Sequence, residues 1–453
     1  MTESHRPRVL LVTRNLPPLV GGMERLNWHM AEELAKAAEV RIVGPDGSAA
    51  LAPAGIEVRE APLKPLWKFL VRARALARRE ARTWKPDVVL AGSGLTAPLA
   101  RAAARTCGAK TAVYVHGLDI AVKNRVYRAS WLPAIRRADR VIANSRATAE
   151  LCRNAGVDPA RIGIVHPGGD LPRDADSAAS HASGHSGAGP QGRNPESVTV
   201  LADSLTKPIP GSAHAAHGQT RNDEPGVALA RNDGPVSDAG DPSIEFRSQH
   251  NLANLPLLLS VGRLSARKGL REFVAQCLPR IVAVHPDAML LVVGDAPTQA
   301  LHAEAQTPAS IQAAADSAGV GECVRFLGKV PDDELTELYR AASVHVFPVR
   351  EIPGDPEGFG MVAVEAAAHG LPTVAFAVGG VPDAVVEGET GSLIQSGDYA
   401  AFAGCVDAWL ARDDHLAVAA KCVEVAARFS WGCFGTKLRT MLFLATANVR
   451  EKS

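Results

Sequence analysis

Residues 357–370 read E-G-F-G-M-V-A-V-E-A-A-A-H-G, a glycine-broken turn running into an apolar, Ala-rich helical stretch. Two carboxylates, Glu357 and Glu365, stand eight positions apart, with Gly358, Phe359 and Gly360 directly after the first. Glycines at a helix start let a phosphate approach free backbone N–H groups, where the helix dipole also favours negative charge. Eight helical residues rise about 12 Å, of the order needed to span a sugar and a ribose joined by a diphosphate. One carboxylate would then hold sugar hydroxyls and the other ribose hydroxyls, with the diphosphate at the helix end between them. The same residues also read as a turn before a buried helix, and the carboxylate spacing alone does not separate the two readings.

A second piece lies upstream. Residues 257–270 read L-L-L-S-V-G-R-L-S-A-R-K-G-L: an apolar strand, then Gly262 and Arg263, then Arg267, Lys268 and Gly269. Cations just past the C-terminal end of a parallel strand lie where open α/β sheets bind ligands. Arg263 offers bidentate contacts to phosphate and Lys268 a compact point charge, so the two suit a pyrophosphate clamp. By themselves they also read as solvated loop charges.

Outward from these stretches the chain alternates strands with helices. The first 170 residues hold strand candidates at 8–13, 40–43, 87–91, 110–115, 140–143 and 162–165. A second series begins at Leu257 and includes 289–293, 324–327, 344–348 and 372–375. Such alternation predicts parallel sheets covered on both faces, hence two α/β Rossmann-like domains facing across a cleft. The expected domains are 1–170 and 251–430, followed by a terminal helix over 431–453. The block 171–250 is rich in Ser, Ala, Gly, His, Pro and Asp, with Phe246 its sole aromatic residue. It has too little apolar surface to offset ordering entropy, so it is expected to be a disordered insertion. Deleting 175–245 should leave a folded, active protein; a deletion variant that no longer melts cooperatively would refute that reading. The D-x-D of Asp174 and Asp176 is taken as coincidence, and no metal is expected.

At 453 residues, with 46% hydrophobic and 21% charged content, the chain suits a soluble protein of two cores. The start, M-T-E-S-H-R-P-R, lacks a signal-like apolar run, and the seven cysteines contain no C-x-x-C. A reducing cytoplasm with buried thiols is the expectation. The net charge of +1 hides an asymmetry: residues 1–170 carry 27 Lys+Arg against 15 Asp+Glu. Residues 64–85 alone hold eight Lys/Arg and one acid. On a helix, Leu66, Phe69, Leu70, Ala73, Leu76 and Ala77 form one face, with Lys68, Arg72, Arg79 and Arg82 opposite. Flanked by tryptophans, this helix suits an anionic membrane surface, and equally a sheet-packed helix with a solvated face. No nucleic-acid partner is expected.

Gly21-Gly22 precede a helix starting near Gly22, in N-L-P-P-L-V-G-G-M-E-R-L. This is not the G-x-G-x-x-G of dinucleotide enzymes, so a dehydrogenase loses its main support. The pair reads either as a phosphate-approach loop or as a simple cap. His116, in Y-V-H-G-L-D, ends a strand and would face the cleft or pack beside it. Asp119 either orients an acceptor hydroxyl or caps the next segment.

Taken together, Gly21-Gly22, Y-V-H-G-L-D, S-V-G-R-L with K-G, L-L-V-V-G-D, V-R-F-L-G-K-V, E-G-F-G with its second Glu, and A-V-G-G-V-P (377–382) carry a resemblance. In that order they are similar to the GT-B retaining glycosyltransferases of family 4, the group 1 glycosyltransferases. The resemblance implies a metal-independent hexosyltransferase without cofactor, using a nucleotide-diphospho-sugar and retaining anomeric configuration. It implies that the Gly21-Gly22 loop covers the donor pyrophosphate, that His116 contacts the transferred sugar, and that the final helix crosses back to the first domain. Arg263, Lys268, Glu357 and His116 are then the catalytic candidates, with Gly21, Gly22, Gly262, Gly358, Phe359, Gly360 and Glu365 around the donor. The acceptor is left as lipid-linked, polysaccharide or small-molecule. A nucleotide-sugar epimerase, a phosphorylase and a non-catalytic sugar-nucleotide sensor remain as rivals. The expected location is cytoplasmic, peripheral on the membrane if the basic helix meets lipid.

Overall fold

The computed structural model describes residues 6–122, 124–172, 246–248, 252, 255–296 and 306–450. The expected insertion at 171–250 therefore lies almost wholly outside the described residues.

Two parallel sheets organise the chain. The first holds β1 (Arg8–Val12), β2 (Glu39–Pro45), β3 (Glu57–Ala61), β4 (Val88–Ala91), β5 (Lys110–Val115), β6 (Arg140–Ala143) and β7 (Ile162–Ile164). Its spatial order is β3-β2-β1-β4-β5-β6-β7. The second holds β8 (Leu257–Val261), β9 (Met289–Val293), β10 (Val324–Gly328), β11 (Val344–Phe347), β12 (Thr373–Phe376) and β13 (Gly391–Ile394), in the order β10-β9-β8-β11-β12-β13. Central strands are buried on both faces, which explains their unbroken apolar runs. In β1, Val9 and Leu11 enter one core and Leu10 and Val12 the other. In β8, Leu258 faces one core while Leu257 and Leu259 face the second.

Strand order reverses between β1 and β4, and again between β8 and β11. At such switch points the loops leaving the two strands diverge and open a crevice at their C-terminal ends. The loops after β1 and β4 carry Gly21, Gly22 and Gly92–Thr96. Those after β8 and β11 carry 262–269 and 348–360. The GT-B arrangement of two Rossmann-like domains facing across a cleft is the fold.

The helix Trp431–Arg450 packs on the first sheet, burying Phe434, Leu438 and Leu442 in its core. Arg439 donates to the Glu33 carbonyl at 2.6 Å, and the Trp431 indole donates to Asp170 at 2.7 Å. Among the described residues no helix is long and apolar enough to cross a membrane. All seven cysteines are free: Cys152, Cys277 and Cys422 are buried, Cys107, Cys323 and Cys405 are half-buried, and Cys433 is exposed, which departs from the expected buried thiols.

The basic helix runs Leu66–Trp84, and its buried face is Phe69, Ala73, Ala77, Glu80, Ala81 and Trp84. This corrects the expected face. Leu66 is exposed instead of buried, and Trp84 lies under the Arg41 guanidinium rather than flanking a free surface. Trp67 is 62% exposed. Glu80 is drawn in because Arg41 and Arg59 reach it at 3.0 and 2.9 Å.

Candidate active site

The loops after β8 and β11 meet at one part-buried ion pair. The turn Ala266–Lys268 aims Lys268 under the second loop, where Nζ donates to Glu357 Oε2 at 2.9 Å. Arg267 Nε stands 3.4 Å from the same oxygen, and its Nη1 donates to the Pro356 carbonyl at 2.8 Å and to Asp355 at 3.2 Å. Burial alone would raise the Glu357 pKa; the charges of Lys268 and Arg267, with the hydrogen bond, take it down to about 2. Burial pushes Lys268 below the ordinary ammonium range, Glu357 pulls it back, and Arg267 and Arg263 push it further down. Lys268 Nζ also lies 4.5 Å above the Phe347 ring, and with burial its charge drives His345 down to about 3. Arg263, by contrast, is exposed and makes no ion pair among the described residues, leaving its guanidinium available. Lys268 and Glu357 are thus brought together, with Arg263 beside them.

Glu357 does not sit on the helix with Glu365. The helix begins at Met361, with Gly360 as its N-cap at φ 96°. Helical rise therefore covers only 361–365, about 6 Å, and the expected all-helical span is corrected to loop plus helix. No side chain caps this helix, so its first N–H groups remain open to a ligand. The A-V-G-G-V-P motif supports the loop from below. Gly380 N–H donates to the Glu357 carbonyl at 3.0 Å, and a Cβ on Gly380 would collide with the Gly358 carbonyl oxygen. From the other domain the approach is equally close: a Cβ on Gly358 would meet the His116 carbonyl oxygen at 2.9 Å.

Glu365 is buried at the domain seam, where it accepts from Arg25 of the first domain and from the Tyr339 hydroxyl at 3.4 Å. Phe359, grouped above with the donor contacts, has its side chain buried between His166 and Phe429, so that side chain packs the seam. Gly22 faces the Met361 thioether, its Cβ position 3.7 Å from the sulfur, which sets the glycine loop over the start of this helix. Gly21 is the extended N-cap of the helix Gly22–Ala35.

His116 directly follows β5, and its Nε2 lies 3.0 Å from the Gly92 carbonyl. A carbonyl only accepts, so Nε2 carries the proton, and Nδ1 of the neutral ring is an acceptor. Asp119 Oδ2 accepts from the His116 N–H at 3.1 Å, so it ties back to the strand end and caps no following helix. Beside them Asn144 is buried with its Oδ1 unpartnered.

Sequence reasoning passes over three groups. Arg267 reads there only as a neighbour of Lys268, yet it shares Glu357. Arg25 reaches Glu365 from 340 positions away, and nothing local signals this. Asp383, at 8% exposure, joins Arg146 and His166 across the seam. Burial pushes its carboxyl up, while His166 and Arg146 hold it below the ordinary carboxylate range.

Two family models match this chain: Glycosyltransferase Family 4 over residues 20–173 and Glycosyl transferases group 1 over 255–412. The chain belongs to the family 4, group 1 glycosyltransferases. A D-inositol 3-phosphate glycosyltransferase of Corynebacterium efficiens is 39% identical over 141 residues, covering 31% of this chain and 32% of that protein. One from Mycobacterium sp. (strain JLS) is 31% identical over 294 residues, covering 65% and 49%. The chain thus spans from about a third to half of the curated relatives it matches. Among solved structures, Anabaena HepE in complex with UDP aligns over 96% of this chain and 99% of its own, at TM-score 0.66 and 18% identity. Sucrose-phosphate synthase from Thermosynechococcus elongatus aligns over 98% and 100%, at TM-score 0.67 and 20% identity.

Proposed function

We propose that this chain is a retaining, metal-independent glycosyltransferase that moves a hexosyl unit from a nucleotide-diphospho-sugar to a hydroxylated acceptor. The observation carrying this is the Lys268–Glu357 pair, part-buried at a topological switch point beside the uncapped helix start at Met361. A donor diphosphate entering there would draw Lys268 and the free Arg263 onto the β-phosphate and accept from the first N–H groups of the helix. Lys268 then leaves Glu357, whose carboxylate turns to the hydroxyls of the transferred sugar. Both cations stabilise the charge that develops on the leaving phosphate, the role a metal plays in other folds. Glu365 exchanges Arg25 for the ribose hydroxyls, and His116 contacts the sugar from the acceptor side. No covalent nucleophile is assigned; departure and attack on one face accounts for retention.

UDP and UDP-glucose occupy HepE, so a uridine donor is the first to test. The inositol phosphate named for the curated relatives makes a phosphate-bearing small acceptor the first to assay. We also read residues 64–85 as a membrane-facing side on a cytoplasmic protein, which keeps lipid-linked and polysaccharide acceptors in the panel.

The test is a thermal-shift panel of UDP, GDP, ADP, NAD and the common diphospho-sugars on wild type and Lys268→Ala. A ligand at a hundredfold its dissociation constant stabilises by about 2.7 kcal/mol. A shift from one nucleotide diphosphate, lost in the variant, is expected; no shift from any of them would overturn the donor site. Transfer should persist undiminished in EDTA, and loss restored by a divalent cation would refute metal independence.

A further inference from the structure

Away from the cleft, the helices Leu66–Trp84, Ala97–Ala104 and Leu132–Arg136 pack on one face of the first sheet and share one core. They leave between them a solvent-open recess of about 430 Å³. Its floor is apolar, built from Leu70, Pro98, Leu99 and Ala134 with the Trp131 ring. Its rim is cationic: Arg74, Arg101, Arg105 and Arg137, at or just past the end of each helix or along it. Among the described residues lining it, none is acidic.

These guanidinium groups are not committed elsewhere. Arg74 and Arg105 make no hydrogen bond or ion pair among the described residues. Arg101 donates to the Arg137 carbonyl at 2.9 Å, which draws two of the rim residues together. Burial weakens the hold of Arg101 on its proton, the charges of Arg105 and Arg137 weaken it further, and nearby Asp139 acts the other way. Asp139 is itself engaged by the Thr111 N–H and hydroxyl. Like charges gathered with only Asp139 nearby to oppose them repel, so an anion at the rim is favoured. Guanidinium forks match phosphate oxygens bidentately.

The surroundings decide what bears the phosphate. Val71, which lines the recess, stands 65% exposed, and Trp67 and Val126, on helices that contribute to its lining, stand 62 and 68% exposed. Around them lie the exposed cations Lys64, Lys68, Arg125 and Arg128. A soluble phosphate would use the rim but leave the apolar floor and these protruding side chains in water. A bilayer uses all three features: headgroup phosphate on the rim, upper chain against the floor, and apolar side chains inserted at the interface. We propose that this recess binds an anionic membrane phospholipid. It rests on the reading of residues 64–85 as the membrane-facing side and not on the identity of the donor. On the cleft side, Trp131 donates to the Leu95 carbonyl at 2.8 Å, beside the turn that packs on Asp119. An occupied recess therefore brings the acceptor side of the cleft close to the membrane.

The experiment is sedimentation of the full chain with vesicles of phosphatidylcholine alone, or mixed with phosphatidylglycerol. Wild type is compared with Arg101→Glu/Arg105→Glu, with Ala102→Trp, which fills the recess without changing charge, and with Arg79→Glu/Arg82→Glu. The last reverses the same charge on exposed positions of the basic helix outside the recess. Wild type should bind only the mixed vesicles, and both recess variants should lose about tenfold or more in affinity, with the outside pair losing clearly less. Donor-induced thermal shifts stay at the wild-type level in all of them, reporting an intact fold. If Ala102→Trp binds like wild type and the two charge reversals weaken binding equally, the basic face acts diffusely and the recess is no site. If wild type ignores both vesicles, the membrane reading falls with it. Protection by inorganic phosphate alone, without vesicle binding, would assign the rim to a soluble anion and overturn the lipid.

Discussion

Glu357→Ala and Lys268→Ala each lower transfer by about 10²-fold or more, the scale of a lost electrostatic contact to developing charge. Both groups are largely shielded, their side chains 17% (Lys268) and 10% (Glu357) exposed, and bonded to each other, so either substitution also strands a charge. Truncating one partner of a buried pair costs about 3–5 kcal/mol, whereas replacing both with apolar side chains is often close to neutral. The two single variants should differ. Lys268→Ala leaves Glu357 with Arg267 still 3.4 Å away, a partial partner. Glu357→Ala leaves Lys268 and Arg267 confronting each other and should be the less stable of the two. Lys268→Met/Glu357→Leu restores the melting temperature towards wild type while transfer stays lost. That separation of stability from turnover, read by thermal melts beside initial rates with saturating donor, distinguishes a catalytic pair from a structural one. Near-normal rates in both single variants would sink the site assignment.

Central elements were legible in the sequence because the physics that forms them is local. β1 and β8 are buried on both faces and read as continuous apolar runs. The cations of 263–268 and the carboxylates of 357–365 each follow a strand of the second sheet, so the sheet's switch point brings them together. Of the four edge strands, β7 and β10 stand among the strand candidates, while β3 and β13 were not legible. β3, E-V-R-E-A, is largely polar because one side of it has no neighbouring strand, and its Glu57 and Arg59 join charges at the surface. β13, G-S-L-I, closes the other sheet at its edge and was likewise absent from the strand candidates. The helix Leu66–Trp84 exposed a different failure. Arg41 and Arg59 arrive from β2 and β3 and turn Glu80 inward, and Trp84 follows onto the same buried face. Periodicity within the helix carries no information about those strands. The cross-domain partners Arg25–Glu365 and Arg146–Asp383 escape for the same reason, being set by how two separately folded sheets meet.

Acid should act on this site through Glu357. Its carboxyl titrates near 4.5 when unperturbed and at about 2 in the folded protein. A folded value below the unfolded one means that the unfolded chain takes up the proton first as pH falls. The stabilisation is therefore complete above about pH 4.5 and drains away down to about pH 2, amounting to about 3 kcal/mol for a shift of this size. Burial pushes Asp383 and Glu80 up, but His166 with Arg146 on the first, and Arg59 with Arg41 on the second, take both below their ordinary range. They add to the acid sensitivity of wild type, so the informative quantity is a difference. Urea midpoints of wild type and Glu357→Gln, measured stepwise from neutral pH to about pH 3, should converge as the medium becomes acidic, because the variant has no carboxylate to protonate there. Above about pH 5 the gap between the two should be constant, since Glu357 stays ionised in both the folded and the unfolded chain. Parallel curves over the whole range would mean that Glu357 titrates at its unperturbed value. The carboxylate would then not be held by Lys268, and the donor diphosphate would have no ion pair to open when it enters.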